Sequence, residues 1–400
     1  MVRFDPWNPD FVVDPYPAYD ELRREAPVRY FEPSNQWLIS RHADVNTLLR
    51  DRRLGRDYTH VATHEEFGRQ PAPEFQEAFW RVSRNGMLEV EPPDHTRLRR
   101  LVSKAFTPRM VESLRPRVRA IAESLIDAYV EKGGGDLIAE VAEPLPVTVI
   151  AEMLGVPEQD RHLLRPWSAD MCGMYELNPS LETQHQAVRA AEEFESYLKD
   201  LARDRLANPG DDLVSALAAI PELTLDELAG TCVLLLNAGH EATVNVTGNG
   251  WRALLKNPGE LARLRADRSL LPTAIEELLR YDTPLQLFER WVLEDIEVHG
   301  VRIPRGSEVA CLFGSANRDP EVFEDPDRLD LGRPDNPHIS FGAGIHFCLG
   351  APLARIELTE SFTALLDRVG TIELRAEPVY KPGFVIRGLH SLDLDVTGSG

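Results

Sequence analysis

One long segment without proline, from Thr224 to Lys256, constrains the fold of this chain more than any other feature. The chain contains 30 prolines, yet about 32 residues follow Thr224 without one, against about 11–12 residues in an average helix. The TLDE sequence at its start predicts a capping box, in which the Thr224 and Glu227 side chains satisfy each other's backbone N–H groups. At about 1.5 Å per residue the helix is about 45 Å long and crosses a whole domain. We therefore predict a central helix around which other elements pack.

Helical patterns dominate the rest of the chain, and strand-like patterns are confined to three regions. These regions lie near 28–40, 291–313 and 379–396, and the last of them has the pattern of a terminal hairpin. No internal repeat and no linker-like segment rich in Pro, Gly and Ser separates them. We predict a mainly α protein, a helix-rich single domain over 1–400 with a small β-sheet region.

Charge and hydropathy exclude two classes of partner. The net charge is −21, which argues against nucleic acid because no basic field would offset phosphate repulsion. The N-terminus lacks the apolar core of a signal peptide, and the most apolar helical stretch, Val233 to Leu236, is followed at once by Asn237. The four cysteines are widely scattered and form no CxxC pair. We expect a soluble cytoplasmic protein with no nucleic-acid or membrane partner.

The stretch FGAGIHFCLG, residues 341–350, sets Cys348 among three glycines. Glycines permit sharp turns and close approach of the backbone to a ligand, and the helix predicted directly afterwards stabilises a thiolate at its N-terminus. A thiolate can be a nucleophile or a metal ligand. A nucleophile needs a general base, and nothing in the loop aims His346 at the sulfur. We favour a thiolate that faces a flat cofactor, with an inert buried cysteine as the alternative.

The same stretch resembles the haem-binding loop of cytochromes P450. The matching positions are Phe341, Gly342, Gly344, His346, Cys348 and Gly350. The resemblance implies that Cys348 is the proximal ligand of haem b (iron protoporphyrin IX), where thiolate ligation favours O–O cleavage. EELLR, with Glu277 and Arg280, resembles the structural ExxR motif of the family. EPPDHTRLR and SANRDP also occur in the family's order, so the resemblance covers nearly the whole chain and implies the cytochrome P450 fold.

Part of the central helix, NAGHEATVNV, resembles the oxygen-binding stretch that the family writes (A/G)Gx(D/E)T. The resemblance places Ala238 and Gly239 beside the haem and gives Glu241 a role in proton delivery. Ala242 stands where the family usually has threonine, and Thr243 is turned about 100° away from it. Proton delivery then uses ordered water, a substrate hydroxyl or Thr243. By itself this stretch is equally compatible with a Glu241 that faces solvent.

The resemblance also implies which residues hold the haem propionates and the substrate. The propionate partners are cationic or hydrogen-bonding side chains, namely His95, Arg99, Arg290 and His346. The substrate contacts are apolar residues placed by their order in the chain, each of which has a core role as its alternative: Met87, Leu88, Leu287, Phe288, Phe384, Val385 and Ile386.

The implied activity is a monooxygenase that inserts one oxygen atom from O2 into a lipophilic small molecule of a secondary-metabolite pathway. We expect electrons from a separate ferredoxin and ferredoxin reductase, with Arg97, Arg100 and Lys104 as the docking site. Two alternatives stay open. Ala242 keeps open a haem-thiolate enzyme that uses peroxide or that couples or rearranges its substrate. A haem sensor or carrier is the other alternative, and the acidic distal helix and the lack of a signalling domain count against it.

Overall fold

The computed structural model describes residues 3–399, which divide into two compact units. The first unit comprises Met1–Leu54, Arg115–Leu145 and Ala242–Gly400, and the second comprises Gly55–Leu114 and Pro146–Glu241. Each unit is assembled from separate stretches of the chain. The prediction of a single domain over 1–400 stays a prediction.

Helices make up most of the described residues, as predicted. In chain order the α-helices are α1 (Pro9–Val13), α2 (Tyr16–Glu25), α3 (His42–Leu48), α4 (Glu77–Arg84), α5 (Asp94–Ala105), α6 (Pro108–Glu131), α7 (Pro144–Leu154), α8 (Leu164–Cys172), α9 (Leu181–Ala207), α10 (Leu213–Ala218), α11 (Leu225–Lys256), α12 (Pro258–Ala266), α13 (Leu271–Tyr281), α14 (Phe313–Ala316) and α15 (Ala351–Arg368).

The strands are short, and they fall mainly in the three predicted regions. They are β1 (Val28–Phe31), β2 (Gln36–Ile39), β3 (Leu54–Gly55), β4 (Gly134–Asp136), β5 (Leu287–Val292), β6 (Ile296–Val298), β7 (Val301–Ile303), β8 (Glu308–Leu312), β9 (Val369–Leu374), β10 (Val379–Tyr380), β11 (Leu389–Ser391) and β12 (Asp393–Gly398).

The main sheet of the first unit places β1, β2, β8 and β5 side by side in that order. The β2–β8 pairing is parallel, with Trp37 opposite Val309, and the other two pairings are antiparallel. One face of the sheet is covered by apolar side chains that include Leu48 of α3, its C-cap residue Leu49 and Ala343 from the cysteine loop. This core therefore anchors the loop that carries Cys348.

The terminal region differs from the predicted hairpin. Strands β11 and β12 are neighbours in the chain but do not pair with each other: β11 pairs with β10, and β12 pairs with both β9 and β4. Segment 384–388 lies outside the strands, apart from an isolated bridge between Leu285 and Ile386. The prediction of a hairpin was wrong because β4, distant in sequence, provides an edge that a local pattern does not reveal.

The central helix confirms the prediction made from its capping sequence. Helix α11 is 32 residues long. The Thr224 N–H donates to Glu227 Oε2 at 2.9 Å, and the Glu227 N–H donates to Thr224 Oγ1 at 3.2 Å. Both side chains therefore satisfy donors that the first turn of a helix leaves without a partner.

A helix that crosses a bilayer must be long and continuously apolar. Within residues 3–399, no helix is both long enough and apolar enough to span a membrane.

Candidate active site

Two glycines with positive φ angles build the loop that carries Cys348. Gly342 and Gly344 have φ angles of 70° and 71°, a region that only glycine enters without strain. A Cβ atom on Gly344 would lie 2.4 Å from the backbone oxygen of Leu49, so the loop passes too close to α3 for any side chain. The Cys348 N–H donates to the Phe341 carbonyl at 2.9 Å and closes the loop. Its conformation therefore depends on glycine at Gly344.

The surroundings of the Cys348 thiol differ from those of the other cysteines. Cys172, Cys232 and Cys311 are buried, whereas Cys348 is half-buried. Burial raises the pKa of Cys232 and of Cys311 to about 12, so both remain thiols. Cys348 lies just before Gly350, the N-cap of the 18-residue helix α15, where the helix dipole favours a negative charge. These features favour a thiolate at Cys348.

Arg355, in the second turn of α15, links this loop to α13. It donates two hydrogen bonds to Glu276, at 2.6 and 2.8 Å, and its guanidinium lies 4.5 Å from the centre of the Phe341 ring. Glu276 chiefly, and the Cys348 sulfur in addition, raise the pKa of Arg355 above its usual value. The positive charge of Arg355 therefore supports a negative charge on Cys348.

A buried ion pair supports the segment that leads into the loop. Arg280 donates from Nε and Nη2 to the two oxygens of Glu277, at 2.7 and 2.8 Å, and both side chains are fully buried. Glu277 also accepts from Arg333, and Arg280 donates to the carbonyls of Asn317 and Pro326. The structural role that sequence analysis assigned to Glu277 and Arg280 agrees with these contacts. Arg333 was missed, because a lone arginine in a polar loop carries no signal.

On α11, Ala238, Glu241 and Ala242 share one face. Ala238 is exposed, and Glu241 and Ala242 are half-buried, although most of their neighbours in the helix are buried. Gly239 points elsewhere: a Cβ atom on it would lie 2.3 Å from Cδ1 of Ile150 in α7. Gly239 therefore has a packing role between two helices, and Ala238 is the small residue on the accessible face.

Thr243 is turned away from Ala242, as predicted, and its environment includes a residue that sequence analysis missed. The Thr243 side chain is buried and interacts with Glu357 of α15, which is 1% exposed. Burial raises the pKa of the Glu357 carboxyl from 4.5 to about 8, and the hydrogen bond with Thr243 offsets part of that rise. Glu357 therefore holds a proton near neutral pH. Its signal in the sequence was an acidic residue between Ile356 and Leu358, on an apolar helix face.

The predicted propionate partners lie in both units. In the second unit His95 is buried on α5, and Arg99 follows one turn later and is half-buried. In the first unit Arg290 is 3% exposed on β5, donates to the Glu289 carbonyl and lies 4.5 Å from the centre of the Phe288 ring. His346 is half-buried in a short 3-10 helix of the cysteine loop. All four remain predictions for this role.

The predicted substrate residues of the first unit fall on two segments that the fold brings together. The Gln286 N–H donates to the Val385 carbonyl at 2.9 Å, which places Leu287 and Phe288 near 385–386. Phe384 is 2% exposed and packs against the rings of Phe4 and Phe11. These ring contacts give Phe384 a core role. In the second unit Met87 is buried and Leu88 is half-buried, in the loop between α4 and α5.

The donor set fits a haem. Residues 3–399 contain no group of three or more His, Cys, Asp or Glu side chains that could hold a metal ion. A half-buried thiol in a glycine-built loop at a helix N-terminus suits the thiolate ligand of a haem iron. In the first unit, the residues that would hold the macrocycle are Cys348, Phe341, His346 and Arg290. The haem-binding roles of His95, Arg99 and Ala238 stay predictions.

Comparison with known proteins agrees with this chemistry. The family model described as cytochrome P450 matches residues 173–370. The cytochrome P450 monooxygenase PikC of Streptomyces venezuelae is 41% identical over 399 residues, covering 96% of this chain and 92% of PikC. The polyketide biosynthesis cytochrome P450 PksS of Bacillus subtilis (strain 168) is 39% identical over 410 residues, covering 99% of each chain.

A solved structure confirms the predicted fold. The structure is that of P450BioI in complex with a hexadec-9Z-enoic acid ligated acyl carrier protein. It matches this chain with a TM-score of 0.91 at 36% identity, and the match covers 97% of this chain and 100% of the P450BioI chain. Sequence similarity over nearly the full length and the matching fold lead to one conclusion. The chain belongs to the cytochrome P450 family and is an oxygenase of its bacterial type.

Proposed function

We propose that this cytochrome P450 inserts one oxygen atom from O2 into a lipophilic small molecule of a secondary-metabolite pathway. The observation that carries the proposal is the glycine-built loop, which presents the half-buried Cys348 at the N-terminus of α15. Haem bound there supplies an iron centre that activates O2, with Cys348 as its thiolate ligand. The proposed roles of the other site residues are to bind substrate, to hold protons or to contact the electron donor.

Proton delivery is assigned to Thr243 and Glu357, with Glu241 as a second acidic group. Ala242 has no hydroxyl, so the donor must come from a neighbouring position. Glu357 carries a proton near neutral pH because burial raises its pKa to about 8. Thr243 is its hydrogen-bonding neighbour and can pass a proton on from the Glu357 carboxyl. Glu241 lies on the accessible face of α11.

The substrate class follows from the relatives and from the predicted contacts. PksS is named for polyketide biosynthesis, and the BioI structure holds a long fatty acyl chain. The predicted substrate residues of this chain are all apolar, which suits a lipophilic ligand.

The electron donor is proposed to be an acidic ferredoxin that docks on α5 and receives its electrons from a ferredoxin reductase. Arg100 and Lys104 are exposed and form no ion pair within the described residues. Arg97 differs from the prediction because it pairs with Glu227 near the start of α11, which neutralises its charge. We therefore assign docking to Arg100 and Lys104.

The proposal is tested with protein purified in its haem-bound form. The ferrous carbonyl complex is expected to show the absorption band of thiolate ligation, and Cys348→His is expected to lose it. The matched control is Cys311→Ser, which alters a buried thiol and is expected to keep the band. A native protein without the thiolate band contradicts the proposed ligand.

The alternative, a peroxide-using or coupling enzyme, is favoured by Ala242 alone. A substrate is first identified by a spectral screen. Its turnover with ferredoxin, ferredoxin reductase and NAD(P)H as the electron source is then compared with its turnover with hydrogen peroxide. The monooxygenase is expected to turn over at least about tenfold faster with the protein donors, because its reaction needs two electrons and two protons. Faster turnover with peroxide, or a coupled product without added oxygen, establishes the alternative.

A further inference from the structure

A cluster of buried and half-buried polar side chains in the second unit takes no part in the proposed haem or proton chemistry. We name it the Asn237 cluster, and it consists of Asn237 on α11, Tyr175, Arg56 and Glu89. Tyr175 ends the 3-10 helix Gly173–Tyr175 that follows α8. Tyr175 interacts with each of the other three side chains. The cluster therefore brings together four segments that are far apart in the sequence.

Asn237 is the member that lacks full hydrogen bonding. Its side chain is 3% exposed, and its Oδ1 atom is buried without a hydrogen-bond partner among residues 3–399. Its Nδ2 atom reaches the Met171 sulfur at 3.6 Å, and thioether sulfur is a weak acceptor. A buried amide oxygen without a donor costs free energy, and leucine would pack at this position of the LLLNA run without that cost. This points to a donor from outside the chain.

Tyr175 provides a group of the opposite kind. Tyr175 interacts with the Asn237 side chain, and a phenol that keeps its proton has an O–H group to donate. Burial chiefly, and the nearby Cys172 and Glu89 in addition, raise the pKa of Tyr175 well above its usual value, so the phenol keeps its proton. An acceptor on Asn237 beside a donor on Tyr175 complements a ligand group that both donates and accepts, which is the property of a hydroxyl.

The charges in the cluster compensate each other. Arg56 Nη2 lies 2.5 Å from Glu89 Oε1, and these side chains are 12% and 11% exposed. The Arg56 N–H also donates to Glu91. The ring of Phe79 packs edge-on against Tyr175, with centroids 6.4 Å apart. A neutral polar group on an apolar molecule suits these surroundings better than an ammonium or a carboxylate, which would lack a counter-ion of its own.

We propose that Asn237 and Tyr175 bind a neutral hydroxyl group of the substrate, so that the substrates are lipophilic alcohols. This inference rests on the proposed function, since it describes the ligand of the same enzyme. Asn237 and Tyr175 are specificity residues, and neither is assigned a part in oxygen or proton chemistry.

The first test measures thermal unfolding of the haem-loaded protein without substrate. Asn237→Leu is expected to leave the unfolding temperature unchanged or to raise it, because leucine removes an amide that lacks a donor. The matched control is Asn249→Leu on the same helix. Asn249 is 1% exposed, and its Oδ1 atom also lacks a hydrogen-bond partner among residues 3–399. It differs from Asn237 because its Nδ2 atom donates to the carbonyls of Asp282 and Arg387, so its loss is expected to lower the unfolding temperature by about 2 °C or more. An equal loss for Asn237→Leu overturns the inference.

The second test measures the binding of three probes of equal heavy-atom number by calorimetry. The probes are dodecan-1-ol, which donates and accepts, 1-methoxyundecane, which only accepts, and tridecane, which does neither. The native protein is expected to bind the alcohol about fivefold to tenfold more tightly than the ether. In Asn237→Leu the two affinities are expected to agree within about twofold, and Tyr175→Phe is expected to weaken the alcohol and the ether alike.

The outcomes separate this inference from the proposed function. Equal binding of the three probes by the native protein, or an unchanged preference for the alcohol in Asn237→Leu, overturns the inference and leaves the monooxygenase proposal standing. Binding of none of the probes contradicts both the inference and the lipophilic substrate class. Loss of the thiolate absorption band concerns the proposed function alone.

Discussion

Glu357 is the residue whose chemistry differs most from what its position in the sequence suggests. Glu360, one turn later on α15, is also 1% exposed, but its carboxylate accepts from Arg115 at 2.8 Å and from Arg119 at 2.7 Å. Glu357 has no such cation, and its Oε1 atom is buried without a hydrogen-bond partner in the described residues. Two glutamates with the same burial therefore take different roles, because only one of them has a counter-ion.

The raised pKa of Glu357 makes stability depend on pH. The folded pKa of about 8 exceeds the ordinary 4.5, so the folded state holds the proton more tightly and the free energy of unfolding falls as pH rises between these values. We expect Glu357→Gln to remove this fall and to raise the free energy of unfolding at pH 7, by on the order of 2 kcal/mol. Denaturant unfolding at pH 5 and pH 7 measures the effect.

The neighbouring glutamate provides the control for this prediction. Glu360→Gln is expected to lower the free energy of unfolding, because Arg115 and Arg119 lose the partner that they share. The free energy of unfolding of Glu357→Gln could instead fall as steeply with rising pH as that of the native protein. In that case Glu357 is not the group responsible.

At the scale of elements, the cysteine loop is held by contacts from three sides. Ala343 packs in the core of the main sheet, Gly344 passes over the end of α3, and α15 begins just after Cys348. The buried pair of Glu277 and Arg280 fixes the segment that leads into the loop. The position of the sulfur therefore depends on elements that are far apart in the sequence.

The close approach at Gly344 predicts a specific loss of haem binding. Gly344→Ala places a Cβ atom 2.4 Å from the Leu49 carbonyl oxygen and leaves alanine at a positive φ angle. The strain of the positive φ angle alone costs about 1–2 kcal/mol. We expect the free energy of unfolding to fall by more than this amount, and we expect haem to be released faster. The haem content after dialysis and the unfolding temperature measure both effects.

Gly300 offers a matched comparison for the φ strain. It has a φ angle of 75° in the turn between β6 and β7, and a Cβ atom there would meet nothing within 4 Å. Gly300→Ala is therefore expected to cost only the φ strain and to retain haem. If the two alanine variants behave alike, the contact with Leu49 does not constrain the loop.

At the scale of the whole molecule, the distribution of charge matters more than its sum. The net charge of −21 repels an acidic partner over most of the surface, and the exposed Arg100 and Lys104 on α5 reverse the sign locally. Such a reversal orients an acidic protein during its approach. The proposed docking of ferredoxin therefore depends on a few residues of one helix.

Charge reversal at Lys104 tests this docking site. Lys104→Glu is expected to raise the KM for ferredoxin about threefold to tenfold at low ionic strength and to reduce its dependence on salt. Lys256→Glu is the control, since both lysines are exposed and lie in the last turn of a helix without an ion pair in the described residues. Steady-state reduction kinetics measure the effect. Equal effects of the two variants would place docking elsewhere.

Local sequence determined the parts of this protein that depend on neighbouring residues. The capping box and the absence of proline predicted α11 nearly to the residue, and strand-like runs near 28–40 predicted the region of β1 and β2, because both signals come from residues that are close together in the sequence. The glycines and Cys348 identified the cysteine loop, since backbone freedom and thiolate chemistry are properties of single residues. These features sufficed for the resemblance to the family, which the relatives confirm, and for the prediction that Cys348 is the iron ligand.

The tertiary structure alone decided the features that depend on contacts between distant segments. Three such features depend on which elements become neighbours. They are the pairing of β12 with β4, the need for glycine at Gly239 and the neutralisation of Arg97 by Glu227. The proton held by Glu357 follows from burial without a counter-ion, and no local pattern specifies that condition. A pKa is set by the dielectric and the charges around a group, so it becomes defined only when the chain has folded around it.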